Sequence, residues 1–255
     1  EPEIKAFPQE AILEVSNLKI VYKSGVGWFR KKEFTTAVKG ISFTLYRGET
    51  LGIAGASGSG KTSLGRSLVK LTEPEEGNVL LHDTPQSSIQ YIFQDPWNAL
   101  NPTLEVGEAI REVIAARKPQ MPQEFLRKEA IDYMRMVGLM PDYYYRYPAE
   151  FSGGQRQRIS IARALAAEPK ILICDEIVSA LDVSIQAQVL NLLKDLQVAL
   201  GLSYIFISHD LAVLRYMSDR LMVMKDGEVV ETGASEAVFQ SPSQDYTKEL
   251  LKAVR

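Results

Sequence analysis

The nonapeptide Gly55-Ala56-Ser57-Gly58-Ser59-Gly60-Lys61-Thr62-Ser63 constrains this chain more than any other stretch. It fits the frame G-x-x-x-x-G-K-S/T, a P-loop. In such a loop successive backbone N–H groups of a glycine-rich turn converge on one concavity and cradle phosphate oxygens. Lys61 is the mobile point charge for the β- and γ-phosphates, and the Thr62 hydroxyl is placed to hold Mg²⁺. The flanks agree with this. The apolar stretch Thr50 to Ala54 predicts a strand. Leu64, Leu68 and Leu71 recur at i, i+4, i+7 and predict a helix that starts inside the motif. The loop therefore falls at a helix N-terminus, where dipole and unpaired donors favour an anion.

Composition bounds the rest. At 255 residues the chain is long enough for a substantial core yet fits one α/β domain. Hydrophobic residues make up 45% and charged residues 24%, the balance of an ordinary globular protein. A net charge of −3 gives no global basic field, so charge does not point to nucleic acid. Apolar runs such as Leu221 to Met224 are a handful of residues long, whereas a spanning helix needs about 20. The one cysteine, Cys174, excludes an intramolecular disulfide framework and fits a reducing compartment. The chain opens on Glu1 rather than Met, as expected of a trimmed chain or one cut from something longer.

Taken in order, residues 1–10 form a loose lead-in. Ala11 to Val21 and Val38 to Leu45 predict strands. Between them, Ser24 to Lys32 carries Gly25, Gly27, Trp28 and the basic run Arg30-Lys31-Lys32. This is either a solvated hairpin loop or a basic patch facing a membrane or partner. Arg47-Gly48-Glu49 turns into the P-loop strand. Glu73 to Asn78 predicts a turn, and Val79 to Leu81 and Ile89 to Phe93 predict short strands. From 96 to 166 the apolar spacing is helical: Ala109, Ile110, Val113 and Ile114 share one face, and Ile131, Met134 and Val137 another. Gly138 and Pro141 close a helix, and the run Tyr143 to Pro148 is either a stacking platform or, as such clusters more often are, packing at a helix–loop junction. Strand texture returns at Ile171 to Cys174, a short apolar run expected of a strand buried on both faces. A long amphipathic helix carries Ile185, Val189, Leu193, Leu196 and Leu200 and ends at Gly201. Ser203 to Ile207 is another buried strand, Leu221 to Val230 a hairpin turning at Asp226-Gly227, and Tyr246 to Val254 a helix. No internal repeat is visible.

Hydrolysis needs groups beyond the P-loop. Asp175 and Glu176 end the strand that starts at Ile171. Asp175 is placed to hold Mg²⁺ through water, and Glu176 to polarise an attacking water. His209, after the strand Ser203 to Ser208, could donate to a γ-phosphate, although a lone histidine is more often structural, and His82 is of that kind. Ser152-Gly153-Gly154-Gln155 precedes an arginine-rich helix and forms a second helix start suited to an anion. One chain has one P-loop, so a second such terminus suggests nucleotides shared across an interface between two chains.

These motifs together, with Gln94 and Ser179-Ala180-Leu181-Asp182, resemble in order and spacing the ATP-binding-cassette (ABC) ATPases. The resemblance covers the chain from about Ala11 onward. Its wording is most similar to the oligopeptide, dipeptide and nickel importer type: Phe93-Gln94-Asp95-Pro96, Asn98-Ala99-Leu100-Asn101-Pro102, Ser152 to Arg158, Ser179 to Ser184, and the tail from Ser241-Pro242 to Leu251. The resemblance implies an α/β fold: a P-loop NTPase, RecA-like core with an antiparallel β subdomain and an inserted helical subdomain. The single domain spans 11–255, with core and β subdomain at 11–95 and 167–239, helical subdomain at 96–166, and C-terminal helix at 240–255.

The family pattern implies roles residue by residue. Tyr22 stacks on adenine. Gly55, Ala56, Ser57, Gly58, Ser59, Gly60, Lys61, Thr62 and Ser63 bind the nucleotide. Thr62, Gln94 and Asp175 serve Mg²⁺. Glu176, Gln94 and His209 are catalytic. Ser152, Gly153, Gly154 and Gln155 close on the partner subunit's ATP, and Asp182 lies at the dimer interface. The implied partners are a second ABC ATPase (a paralogue or an identical chain), two integral membrane permease subunits, and indirectly an extracytoplasmic solute-binding protein. No nucleic acid is implied. The implied place is peripheral, on the cytoplasmic face of the cell membrane. The function implied is ATP-driven import of peptides or of a nickel- or metal-chelate-type solute. The alternatives are a soluble ABC-type ATPase of a multi-enzyme or nucleic-acid complex, and a non-hydrolysing regulatory subunit. Two residues depart from the pattern: Ile177 stands where proline is usual, expected to loosen the turn holding Glu176, and Phe151 where leucine is commonest.

Overall fold

The computed structural model describes residues 10–24, 33–82 and 85–252. The lead-in before residue 10 and the run Arg30-Lys31-Lys32 lie outside them, as do residues 253–255 of the C-terminal helix reading. In chain order the elements are β1 (Ala11–Ser24), β2 (Glu33–Tyr46), β3 (Thr50–Ala54), α1 (Lys61–Leu68), β4 (Glu76–Leu81) and β5 (Ile89–Ile92). Then come α2 (Pro96–Ala99), α3 (Val106–Arg117), α4 (Gln123–Met136), α5 (Gly153–Leu165), β6 (Ile171–Asp175) and α6 (Val183–Leu200). The chain ends with β7 (Ser203–Ile207), α7 (Leu211–Met217), β8 (Arg220–Lys225), β9 (Glu228–Ala234), α8 (Ser235–Gln240) and α9 (Asp245–Lys252). They divide into two compact units, one of residues up to 86 plus 201 onward, the other of residues 87–200.

The first unit holds two sheets. In one, β1 pairs antiparallel with β2 on one side and β4 on the other. Ile12, Leu13, Leu18 and Ile20 of β1 and Val38 and Leu45 of β2 have no exposed surface, each such side chain contributing about 1.5–3 kcal/mol. In the other, β3 lies between β7 and β8, parallel to both, and β9 returns antiparallel beside β8. All five residues of β3 and of β7 are buried, as a strand covered on both faces requires. Asp226 and Gly227 turn β8 into β9 with φ of 51° and 83°, the left-handed pair of a tight hairpin.

Two expectations shift here. The helix after the P-loop stops at Leu68, and Leu71 is 58% exposed rather than the third residue of a buried stripe. Lys70 adopts φ 60°, its N–H donates to the Ser67 carbonyl, and the Leu71 N–H reaches back to that of Arg66. This is a left-handed helix stop, here without the usual glycine. The segment Glu73 to Asn78, expected as a turn, already enters β4 at Glu76. Pairing with β1 extends it, Lys19 facing Glu76 in the ladder and ion-pairing with Glu75 and Glu76 at 3.2 and 2.7 Å.

In the second unit β5 and β6 run parallel, Ile89 opposite Ile171 and Ile92 opposite Cys174. The Cys174 thiol is free and fully buried, and burial pushes its pKa up, so it is an inert core residue. Helices α3 and α4 pack on each other, and Val106, Ala109, Ile110 and Ile114 of the one and Leu126, Ala130 and Met134 of the other are buried. Of the tyrosine run, Tyr144 packs, whereas Tyr145 and Tyr147 are exposed. Tyr144, in a short 3-10 helix, is 2% exposed, donates to Glu108 at 2.5 Å and carries the Arg127 guanidinium over its ring. Arg111, hydrogen-bonded to Glu108, holds that carboxyl below its usual pKa. In α6 the stripe Val189, Leu193 and Leu196 is buried, while Leu200 is 39% exposed.

Candidate nucleotide site

The P-loop leaves the carboxyl end of β3 and runs into α1, whose first residue is Lys61. Two glycines are required by space as well as by backbone angle. A Cβ on Gly55 would lie 2.3 Å from the Met224 carbonyl oxygen, and one on Gly60 2.2 Å from that of Ala37. Their φ values, 152° and 100°, are ones that a side chain disfavours. The loop is tied down by a turn from the Ser59 N–H to the Ala56 carbonyl at 3.2 Å. The Gly227 N–H of the β8–β9 hairpin donates to the Ser59 carbonyl at 3.1 Å. Lys61 is 5% exposed, and its Nζ donates to the carbonyls of Gly55 and Ala56, both at 2.8 Å, with Ser59 Oγ at 3.4 Å. The ammonium therefore sits against the loop it serves, with Thr62 and Ser63 following in the first turn of α1.

Tyr22, near the end of β1, is 41% exposed, and its hydroxyl donates to Ser63 Oγ at 3.1 Å. The structure thus brings the proposed adenine platform to the P-loop helix. His209 is exposed and follows β7. Since β7 and β3 are parallel neighbours, Ile53 opposite Ile207, His209 and the P-loop leave the same edge of the sheet. Next to it, Asp210 caps α7, accepting from Ala212 and Val213 N–H groups at 2.8 and 3.3 Å. His82, expected to be structural, lies 3.1 Å from a Glu14 carboxylate oxygen.

In the second unit the same rule operates on β5 and β6. Their carboxyl ends lie side by side, so Gln94, Asp175 and Glu176 emerge together. Gln94 Nε2 donates to Glu176 Oε2 at 3.0 Å. Asp175 is 4% exposed and accepts from the Tyr91 hydroxyl at 2.5 Å. Tyr91 was not singled out in the sequence. The signal available was its place on β5, opposite Ile173 and hence diagonal to Asp175. Glu176 has φ 50°, in the left-handed region, and its carbonyl accepts from the Ser179 N–H at 3.1 Å and Oγ at 2.8 Å. Those two bonds close the turn in a chain that has Ile177, itself 2% exposed, where a proline is usual.

Ser152 and Gln155 form a reciprocal cap on α5: the Ser152 N–H donates to Gln155 Oε1 at 3.0 Å and the Gln155 N–H to Ser152 Oγ at 3.4 Å. Gly154 is needed for packing, since a Cβ there would lie 2.3 Å from Ile185 Cγ2 of α6. Asp182 is exposed, and its carbonyl accepts the Gln186 N–H at the start of α6.

Among the described residues no group of three or more His, Cys, Asp and Glu is arranged to hold a metal ion alone. Thr62 offers a hydroxyl in the first turn of α1, and, in the second unit, Gln94 and Asp175 offer an amide oxygen and a carboxylate after β5 and at the end of β6. Oxygen donors of these kinds suit Mg²⁺. No described helix is long and apolar enough to cross a membrane.

The chain is similar in sequence and in fold to known proteins. The oligopeptide transport ATP-binding protein OppF of Escherichia coli (strain K12) is 47% identical over 261 residues, covering 96% of this chain and 78% of that protein. The dipeptide transport ATP-binding protein DppF of the same strain is 44% identical over 257 residues, covering 96% and 77%. Among solved structures, the ATP-binding cassette MJ0796, described as a dimer in a post-hydrolysis state bound to ADP and Pi, aligns with a TM-score of 0.76 at 30% identity. The alignment covers 88% of this chain and 99% of that one. The ABC transporter family matches residues 38–179. By this match, and by relatives of such identity along nearly its whole length, the chain belongs to the ABC transporter family.

Proposed function

We propose that this chain is the ATP-hydrolysing subunit of a peptide importer. The observation that carries the ATPase reading is the pairing of Gln94 with Glu176 at the end of the buried strand β6, beside the buried carboxylate of Asp175. The peptide assignment rests on relatives named for oligopeptide and dipeptide transport. Lys61 and the P-loop amides hold the phosphates, and Tyr22 stacks on the base. Thr62, Gln94 and Asp175 would hold Mg²⁺, which would supply positive charge against the phosphates. Glu176 orients and deprotonates the attacking water, Gln94 keeps that carboxylate in place, and His209 donates toward the γ-phosphate.

Ser152 to Gln155 close on the nucleotide of a second ABC ATPase subunit, and Asp182 lies at that interface. ATP touches both subunits only in the closed pair, so its binding drives closure. Residues 96–166 act as the helical subdomain and receive a short helix of the membrane subunits. A groove lined by Leu100, Pro102, Leu104 and Ala109 together with the polar Asn101, Glu112 and Arg163 supports this reading, since it offers both apolar and charged contacts. The rest of 11–255 forms the core, β subdomain and C-terminal helix. The subunit works at the cytoplasmic face of the membrane with two permeases and an extracytoplasmic solute-binding protein.

The test is Glu176→Gln. Expected is loss of turnover by roughly 100-fold or more, the scale of a positioned general base, with ATP binding retained, read by phosphate release and by titration with a fluorescent ATP. Hydrolysis at the parental rate would show that Glu176 has no such role.

A further inference from the structure

One peptide plane of the P-loop is held from both edges. The C=O of Gly55 accepts from Lys61 Nζ at 2.8 Å. The N–H of Ala56, the other edge of the same unit, donates to the Tyr246 hydroxyl at 3.1 Å. In a trans peptide these two groups point in opposite directions, and no cis bond occurs among the described residues. Tyr246 therefore fixes the orientation of the carbonyl against which Lys61 rests.

Tyr246 is itself anchored. It lies in the first turn of α9, and the Lys225 ammonium sits over its ring, 4.8 Å from the centroid. The chain just before it is pinned by Glu231 of β9. That carboxylate accepts from the Ser243 N–H at 2.7 Å, the Ser243 hydroxyl at 2.9 Å and the Gln244 N–H at 3.2 Å. Thr247, next in sequence, is 1% exposed. The far end of the chain is thus strapped to β9 and delivers one hydroxyl to the loop. The Ala56 N–H stands at the mouth of the loop, one residue after Gly55, where a free peptide could rotate.

We propose that Tyr246 is a positioning residue for Lys61: its hydroxyl holds the Gly55–Ala56 peptide in the orientation that presents the ammonium to phosphates. The C-terminal strap is then part of the nucleotide site. This rests on the reading that the P-loop binds ATP.

The test is Tyr246→Phe, which deletes the acceptor atom and keeps the ring on Lys225. The parent and the variant are titrated with a fluorescent ATP in the presence of Mg²⁺, and amide exchange is followed over residues 51–64. Losing one neutral hydrogen bond should raise the Kd by roughly 2- to 10-fold and speed exchange in that segment. A parental Kd in the variant overturns the proposal, as does a weaker Kd with exchange over 51–64 unchanged. A parent that does not bind ATP would instead refute the nucleotide reading. Should Tyr246→Phe not fold, Glu231→Gln loosens the same strap from outside the loop. It must then weaken ATP binding in the same direction, and parental affinity overturns the proposal.

Discussion

Single residues here are chosen as often for what they leave room for as for what they contact. Gly60 and Gly55 lie so close to backbone carbonyls that no side chain fits, which is what lets the loop take its tight course from β3 into α1. Gly107, at the start of α3, plays the same part for the core: a Cβ there would sit 2.2 Å from the Tyr144 ring, itself 2% exposed and tied to Glu108. Gly107→Ala should therefore cost about 1–3 kcal/mol, the usual penalty for overpacking, read as a lower urea midpoint with an unchanged slope. ATP affinity of the folded protein should stay at the parental value. Glu176 shows a different economy. Its backbone is held at φ 50° by two bonds from Ser179, and strain of this kind gathers at functional positions.

At the scale of elements, parallel strands explain which site residues meet. Strands that point the same way end together, so β3 and β7 carry the P-loop and His209 to one edge, and β5 and β6 carry Gln94 to Glu176. Helix α9 depends on a different device, the Glu231 carboxylate. Partial burial raises its pKa, but donors from the 243–247 segment outweigh that and hold it below the ordinary carboxylate value. A depressed folded pKa contributes stability above the unfolded value of about 4.5 and loses it as pH falls through the folded one. Amide protection over residues 243–252, taken relative to the intrinsic exchange rate at each pH, should accordingly fall below that pH. In Glu231→Gln protection should already be low at neutral pH and nearly independent of acid over the same range. A wild-type segment whose protection does not change between neutrality and that acid range would refute the carboxylate's role.

At the scale of the molecule, the chain carries one P-loop and one signature-like helix start, Ser152 to Gln155, already closed by its own reciprocal cap. An ATPase built this way works with partners. Pull-down of the tagged protein from detergent-solubilised source membranes should recover two polytopic proteins and a second ATPase, identified by mass spectrometry. Recovery of soluble enzymes with no membrane protein would replace the importer by the multi-enzyme reading.

Much of this was legible in the order of residues. The P-loop, the buried strands Thr50–Ala54 and Ser203–Ile207, the carboxylates after Ile171 to Cys174 and the turn at Asp226-Gly227 are local patterns, set by period, burial and glycine chemistry over a few neighbours. Their order and spacing resemble those of the ABC ATPases, the family that the comparisons then showed. What needed the tertiary structure joins residues far apart in sequence or depends on a backbone angle that composition does not signal. Lys70 ends α1 in a glycine's conformation, and Glu76 joins a strand because β1 lies beside it. Tyr91 reaches Asp175 only because β5 and β6 share a register. Tyr246 meets Ala56 across 190 residues because Glu231 straps the chain's end to β9. Local pattern records what one segment prefers; which distant donor finds which acceptor is decided by packing, where register and burial leave a single fit.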